Sequence, residues 1–394
     1  MFIENIEILN LWGKKESIKV PFDNRVTFIT GINGSGKSSL LNVIFDSLIP
    51  NPKKFSKPST SKNRFWCSRA SFSNNLLLDT FILPNFGNDP DENSEIEDLL
   101  QDDFFNLDVI HKVQDYFENS SKDNLVTYIG HESVLKGEWW RKTLNFSDKN
   151  KSELEGEIKG FEEKAPLAFL FQEDRTTLHN MDKSSIDRSS IYWGLYRSSI
   201  DERFAYCRDA IQVRESHLNK EIVKEIQIFG ENIDFNKLIN SSSFKATTKS
   251  QKEIENMINT LNSYFLDSGK CIARDEDNKI TLARIVEDEN HFMKDISFDE
   301  DNPFVEDNNE LISWNLLSRG EKTLLYLFFA VYYYKDRVKV FLLDEPEISF
   351  HVNWQKRLIK DLSELAPNNQ FIVATHSPSL VMDGWLPNCL ELKI

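Results

Sequence analysis

The nine residues GINGSGKSS, positions 31–39, constrain the fold of this chain more than any other stretch. The spacing Gly31-x-x-x-x-Gly36-Lys37-Ser38 is that of a phosphate-binding loop, a pattern that works only between the end of a strand and the start of a helix. Both neighbours are legible. Before it, FIENIEILNL, ESIKV and RVTFIT alternate as strands do, with Gly13 and residues 21–24 as turns. After it, LLNVIFDSLI has apolar residues at helical spacing until Pro50 and Pro52 stop it. In that setting the stretch Asn33, Gly34, Ser35, Gly36, Lys37, Ser38 and Ser39 curls its backbone N–H groups around phosphate oxygens, and the start of the helix adds its partial positive charge. Lys37 is expected to reach the β- and γ-phosphates, and the Ser38 hydroxyl to ligate Mg²⁺.

Three further elements gather near the other end. In KVFLLDEPE a buried apolar run ends in Asp344 and Glu345, which puts two carboxylates at the carboxyl edge of a strand, where open α/β sheets bind ligands. Asp344 is expected to hold the Mg²⁺ through water, and Glu345 to polarise an attacking water. In NLLSRGEK, Ser318, Gly320 and Glu321 head a strongly apolar helix, where a hydroxyl and N–H groups can meet an anion. Ser318 and Glu321, three residues apart, also fit a plain capping box. In FIVATHSP the imidazole of His376 follows an apolar strand and emerges at the same edge as Asp344, within reach of a γ-phosphate.

Between these ends the pattern weakens. NPKKFSKPSTSKN reads as a loop, residues 95–117 and 216–229 as amphipathic helices, and residues 279–298 as short strands with an acidic connection. No heptad repeat lasts long enough for a coiled-coil arm. The expected fold class is α/β: N-terminal strands, a parallel sheet with crossover helices, and a large insertion. The expected divisions are an N-terminal half over 1–50, a mainly helical insertion with short strands over 51–310, and a C-terminal half over 311–394.

Charge and cysteine content narrow the setting. Lys and Arg number 47 against 63 Asp and Glu, a net charge of −16, which argues against a broad non-specific grip on DNA or anionic lipid. Cys67, Cys207, Cys271 and Cys389 lie far apart, fit neither a metal-ligand spacing nor a disulfide scaffold, and read as reduced thiols of a cytoplasmic protein. The N-terminus carries acids where a secretory segment needs basic residues, and TLLYLFFAVYYY is too short to span a bilayer, so no membrane partner is expected.

Taken in order, GINGSGKS, LLSRGEK, VFLLDEP and ATHSP resemble the Walker A, signature, Walker B and switch-histidine motifs of the ATP-binding cassette class of ATPases. Within that class, LLDEPEISFHVNWQKRLI followed by FIVATHSPSL is similar to the prokaryotic AAA-type subgroup that includes the OLD-family ATPase domain and the Septu antiphage ATPase. The resemblance implies a cassette-type ATPase head with ATP and Mg²⁺ as cofactors, residues 349–351 as a D-loop at a dimer contact, and Gln172, at the end of PLAFLFQ, as the glutamine that joins the metal site. Arg175 nearby could meet a phosphate or pair with Glu173, and Trp12 could stack on adenine, although core packing explains it as well. It also implies a homodimer or a higher even-numbered oligomer, in which Ser318 and Gly320 of one copy close over the nucleotide held by the loop of another.

The chain ends eighteen residues after His376, which leaves no room for the nuclease domain of OLD-type proteins, so a separate effector is expected, an HNH-type nuclease or a toxin. The acid-rich stretch 287–310 could face a basic partner or only water. Nucleic acid would then be met through the complex. The competing readings are a DNA-maintenance ATPase resembling RecF or Rad50, a transporter's nucleotide-binding subunit, and an ATP sensor that does not hydrolyse.

Overall fold

The computed structural model describes residues 1–9, 11, 17–49, 66–84, 125–135, 138–146, 155–162, 166–172, 200–229, 235–285 and 310–392. Trp12, Arg175, the helix expected over 95–117 and all but the last residue of the stretch 287–310 lie outside them.

A five-stranded parallel sheet carries the site. Its strands are β3 (Val26–Thr30), β8 (Ala168–Gln172), β12 (Val340–Asp344), β13 (Gln370–Ala374) and β14 (Cys389–Glu391), in the order β14-β3-β13-β12-β8. The near-unbroken apolar runs VTFIT, AFLFQ and VFLLD suit strands covered on both faces, and all but their last residues are buried. Parallel register places Asp344 beside Gln172 on one side and Ala374 on the other, with Ala374 opposite Ile29. Four strand ends therefore meet along one edge.

A second, antiparallel sheet is built from β1 (Ile3–Leu9), β2 (Ile18–Pro21), β4 (Trp66–Phe72), β5 (Leu77–Pro84), β6 (Leu125–Leu135) and β7 (Glu138–Phe146), in the order β2-β1-β4-β5-β7-β6. Helix α1 (Lys37–Leu48) packs on both sheets, touching β4 and β5 as well as β8, β12 and β13. The sheets are also joined through Gln370, whose buried amide accepts from Ile3 N at 2.9 Å and donates to Ile3 O at 2.8 Å. A side-chain amide here satisfies strand-edge backbone groups that burial would otherwise leave without partners.

Three helices form a lobe beside the parallel sheet: α3 (Ile200–Phe229), α5 (Ser242–Phe265) and α6 (Arg319–Tyr334); the short α4 (Phe235–Asn240) packs on α5, and the short α2 (Glu155–Glu162) lies between β7 and β8 in chain order. In α6 every residue except Arg319 and Lys322 is buried, as a helix that is apolar all round requires. Phe204 of α3 stacks on Phe329, and Ser250 of α5 pairs with the Tyr332 hydroxyl at 3.0 Å. Helix α7 (Val352–Leu365) joins through Asp361, which accepts from Tyr264 at 2.7 Å. A small sheet of β9 (Lys270–Arg274), β10 (Ile280–Arg284) and β11 (Glu310–Ile312) packs at the end of α5, and the four-residue α8 (Pro378–Val381) follows the His376 loop. The four cysteines are free thiols, and no helix among the described residues is long and apolar enough to cross a membrane.

The stretch expected as a mainly helical insertion contributes strands to both large sheets. β4 pairs with β1, and β8 is an edge strand of the parallel sheet beside β12. β6 and β7, of 11 and 9 residues, are longer than the short strands expected there. The pairings of β4 with β1 and of β7 with β5 join segments far apart in the chain, and local periodicity carries no record of that. The helix expected over 216–229 is the second half of the 30-residue α3.

One buried ion pair pins the antiparallel sheet. Arg69 on β4 and Asp79 on β5 stand opposite each other, with Nε and Nη2 each 2.7 Å from a carboxylate oxygen. Asp79→Ala removes that bidentate partner from a buried guanidinium and should cost about 3–5 kcal/mol, whereas the paired Arg69→Met, Asp79→Leu replacement should cost much less. Urea unfolding of the three proteins checks this; equal midpoints for wild type and Asp79→Ala would contradict it.

Candidate functional site

The loop between β3 and α1 owes its shape to its glycines. Gly34 and Gly36 have φ values of 82° and 83°, a left-handed conformation that other residues adopt at a cost of about 1–2 kcal/mol. Gly36 is also the N-cap of α1, with no side chain capping it. Asn33, Gly34 and Ser38 are exposed, Gly36 and Ser39 half-buried, and Ser35 and Lys37 buried. The Ser35 hydroxyl has no hydrogen-bond partner. A buried, unsatisfied hydroxyl in a glycine-shaped loop at a helix start fits an oxyanion ligand.

Lys37 extends back across this loop. Its ammonium donates to Gly31 O at 3.1 Å and Ile32 O at 3.2 Å, and stands 2.6 Å from Nε2 of His376. An ammonium can only donate, so this ring nitrogen accepts. The same Nε2 is 3.4 Å from Glu345 Oε1. Burial pushes the Lys37 pKa below its ordinary value, while Glu345, Asp344 and Glu347 oppose that shift.

Beside them lies an oxygen-rich corner. Ser38 Oγ donates to Asp344 Oδ1 at 3.0 Å, and Gln172 Nε2 lies 3.4 Å from Asp344 Oδ2. A hydroxyl, a carboxylate and a carboxamide from three elements are a donor set suited to a hard divalent cation. The structure thus brings Lys37, Ser38, Gln172, Asp344, Glu345 and His376 together at one sheet edge.

Beyond β12 the chain makes a tight turn. Glu345 and Ser349 take positive φ values of 48° and 73°, Glu345 N donates to Ala374 O at 2.8 Å, and Phe350 N donates to Glu347 O at 3.0 Å. Within the expected D-loop, Ser349 and His351 are exposed, Phe350 is buried against Trp354, and His351 caps α7.

The segment 318–321 meets other partners within the chain. Ser318 and Glu321 form the capping box of α6. Both carboxylate oxygens of Glu321 also lie 3.0 Å from Lys270 Nζ. Burial raises the Glu321 pKa, but the Ser318 N–H, the Lys270 ammonium and the Ser318 hydroxyl outweigh it and hold the carboxyl below the usual range. Glu321 was expected among the nucleotide-binding residues, yet its carboxylate is taken up in the cap and the ion pair. At that helix start Ser318 and Arg319 are exposed, whereas Gly320 is buried against the Ser349 carbonyl.

Sequence reading missed several residues of this neighbourhood. Asn42, one helical turn after Ser38, accepts from Gln172 Nε2 at 3.0 Å; the 3.6-residue period places it on the same face of α1. Arg203 donates to Gln172 O at 3.1 Å and ties α3 to the end of β8. Glu347 is buried with one oxygen accepting from the Thr375 hydroxyl, and burial pushes its pKa up. No local signal marks a carboxylate whose partner is a threonine 28 residues away.

The AAA ATPase domain family matches residues 1–381. Among curated proteins, Retron Ec83 probable ATPase of Escherichia coli is 26% identical over 184 residues, 44% of this chain and 32% of that protein. Endonuclease GajA of Bacillus cereus strain VD045 is 37% identical over 59 residues, 15% of this chain and 10% of that protein. The alignments thus span a third or less of either relative's length. Among solved structures, an SMC head bound to the C-winged helix domain of ScpA superposes with a TM-score of 0.46 at 14% identity, covering 97% of this chain and 92% of that one. The Smc head of Pyrococcus furiosus, with an extended coiled coil and the C-terminal domain of ScpA, gives 0.42 at 15% identity, covering 97% and 91%.

Gly320 offers a test of how tightly these parts interlock. A Cβ added there would stand 2.5 Å from the Ser349 carbonyl oxygen. Helix propensity alone would make Gly320→Ala stabilising by about 0.5–1 kcal/mol, whereas the clash should make it destabilising by about 1–3 kcal/mol. Thermal unfolding decides the sign, and a raised midpoint would contradict the close approach.

Proposed function

The chain belongs to the AAA ATPase domain family, and from that premise we propose that it binds ATP with Mg²⁺ between two copies of itself and hydrolyses it slowly, as a clamp on a separate effector. The observation that carries this reading is the convergence of Lys37, Ser38, Gln172, Asp344, Glu345 and His376 on one edge of the parallel sheet. No single element could supply that set.

In this reading the loop over 33–39 cradles the phosphates, and Lys37 exchanges its carbonyl and imidazole contacts for phosphate oxygens. Ser38, Asp344 and Gln172 hold Mg²⁺, which would neutralise charge on the triphosphate when bound. Glu345 takes a proton from the attacking water, and His376 steadies the γ-phosphate. Ser318 is exposed at the start of α6 with Gly320 buried behind it, so in this reading the Ser318 side of the helix start meets a nucleotide held by a second copy. Triphosphate then bridges two protomers, and its cleavage frees them.

The effector is proposed on chemistry and kinship. A chain of net charge −16 suits a basic protein partner better than bare nucleic acid. The relatives include a retron ATPase and an endonuclease by name, which supports a role in antiphage defence with a nuclease or toxin as the partner.

Three variants test the site. Glu345→Gln should lower kcat at least about 10²-fold and accumulate an ATP-bound dimer on size-exclusion chromatography. Lys37→Ala should lose nucleotide, and Ser318→Arg should abolish turnover while the monomer binds ATP normally. If Glu345→Gln and Lys37→Ala both hydrolyse ATP like the wild type, the residues are misassigned; if Ser318→Arg weakens ATP binding by the monomer, the shared site is wrong.

A further inference from the structure

One side chain joins the two loops that flank the proposed hydrolytic centre. Gln355, half-buried on the first turns of α7, donates through Nε2 to Phe350 O at 3.0 Å and accepts at Oε1 from the Ser377 hydroxyl at 2.6 Å. Phe350 belongs to the turn over 349–351, and Ser377 immediately follows His376. The amide therefore uses a donor on one loop and an acceptor on the other.

A second tie runs parallel to it. The Thr375 hydroxyl donates to the buried Glu347 carboxylate and accepts from Ser377 N at 2.9 Å. At the other end, the Ser349 carbonyl is packed so closely on Gly320 that no Cβ fits between them. A continuous set of contacts thus runs from Gly320, through Ser349 and Phe350, to Gln355, Ser377 and His376.

We propose that Gln355 is a positioning residue that staples the turn over 349–351 to the His376 loop, so that the Ser318–Gly320 edge and His376 shift together. The proposal rests on the shared-site reading above: the Ser318–Gly320 edge faces the partner's nucleotide and His376 its own, so the staple makes each site sense the other. Neither partner loop can move relative to the other without breaking a hydrogen bond to the amide.

The test compares Gln355→Met, which keeps the length and loses both polar atoms, with Gln355→Glu, which keeps the acceptor and loses the donor. Gln355→Met should lower kcat roughly ten- to a hundredfold, the effect of a misplacement of about 1 Å, with ATP affinity unchanged. The wild type should respond to ATP sigmoidally and Gln355→Met hyperbolically. Adding Ser377→Ala should cause little further loss, because both changes cut one connection. Gln355→Glu should lie between Gln355→Met and the wild type, and it carries the same comparison if the methionine variant fails to fold. Unchanged kcat in a folded Gln355 variant, a hyperbolic wild type, or fully additive losses would each overturn the staple while leaving the ATPase reading intact. A wild type that neither binds nor hydrolyses ATP would overturn both.

Discussion

The register of four parallel strands is the constraint on which the site depends. Asp344 sits beside Gln172 and Ala374 because β8, β12 and β13 run in step, and β3 delivers the loop over 31–39 one strand further along. Shifting one strand by a single residue would turn its side chains to the opposite face and scatter the six residues at its edge. The apolar runs of these strands, the all-round apolar α6 and the Gln370 tie to β1 all hold that register.

Electrostatics explain why the edge is built as it is. Asp344 and Glu345 end one strand, and Glu347 is buried two residues on; three carboxylates this close need cations. Lys37 supplies one; its burial cost is opposed in part by the same carboxylates, and its ammonium also donates to the carbonyls of Gly31 and Ile32. In the proposed reading Mg²⁺ supplies the other. The loop is therefore shaped by glycines for an anion while the strand ends beside it are prepared for a cation, and a magnesium nucleotide satisfies both.

Much of this was legible in the sequence, for a physical reason. Residues near one another in the chain and bound to one period leave a record: β1, β2, β3, α1, α6, β12 and β13 all lie where the alternation or the helical spacing puts them. Gln172 could be picked out because the resemblance calls for a glutamine at a strand end and this one ends an apolar run. What could not be read was pairing at a distance. The pairing of β5 with β7, the joining of β8 to the parallel sheet, and the contacts of Asn42, Arg203, Glu347 and Gln355 depend on segments brought together only by folding. Glu321 illustrates the opposite limit. Its position in LLSRGEK is compatible with ligand binding and with a capping box, and only the contacts to Ser318 and Lys270 reveal how its carboxylate is used.

The central claim is that each nucleotide is completed by two chains, the phosphate loop from one and the Ser318–Gly320 edge from the other. Mixing two inactive proteins tests it most directly, since a Lys37→Ala chain and a Ser318→Arg chain can pair to form one site with neither defect. The account predicts ATP hydrolysis by the mixture that is absent from either protein alone. A mixture as inactive as its components, although the two chains associate, would contradict it.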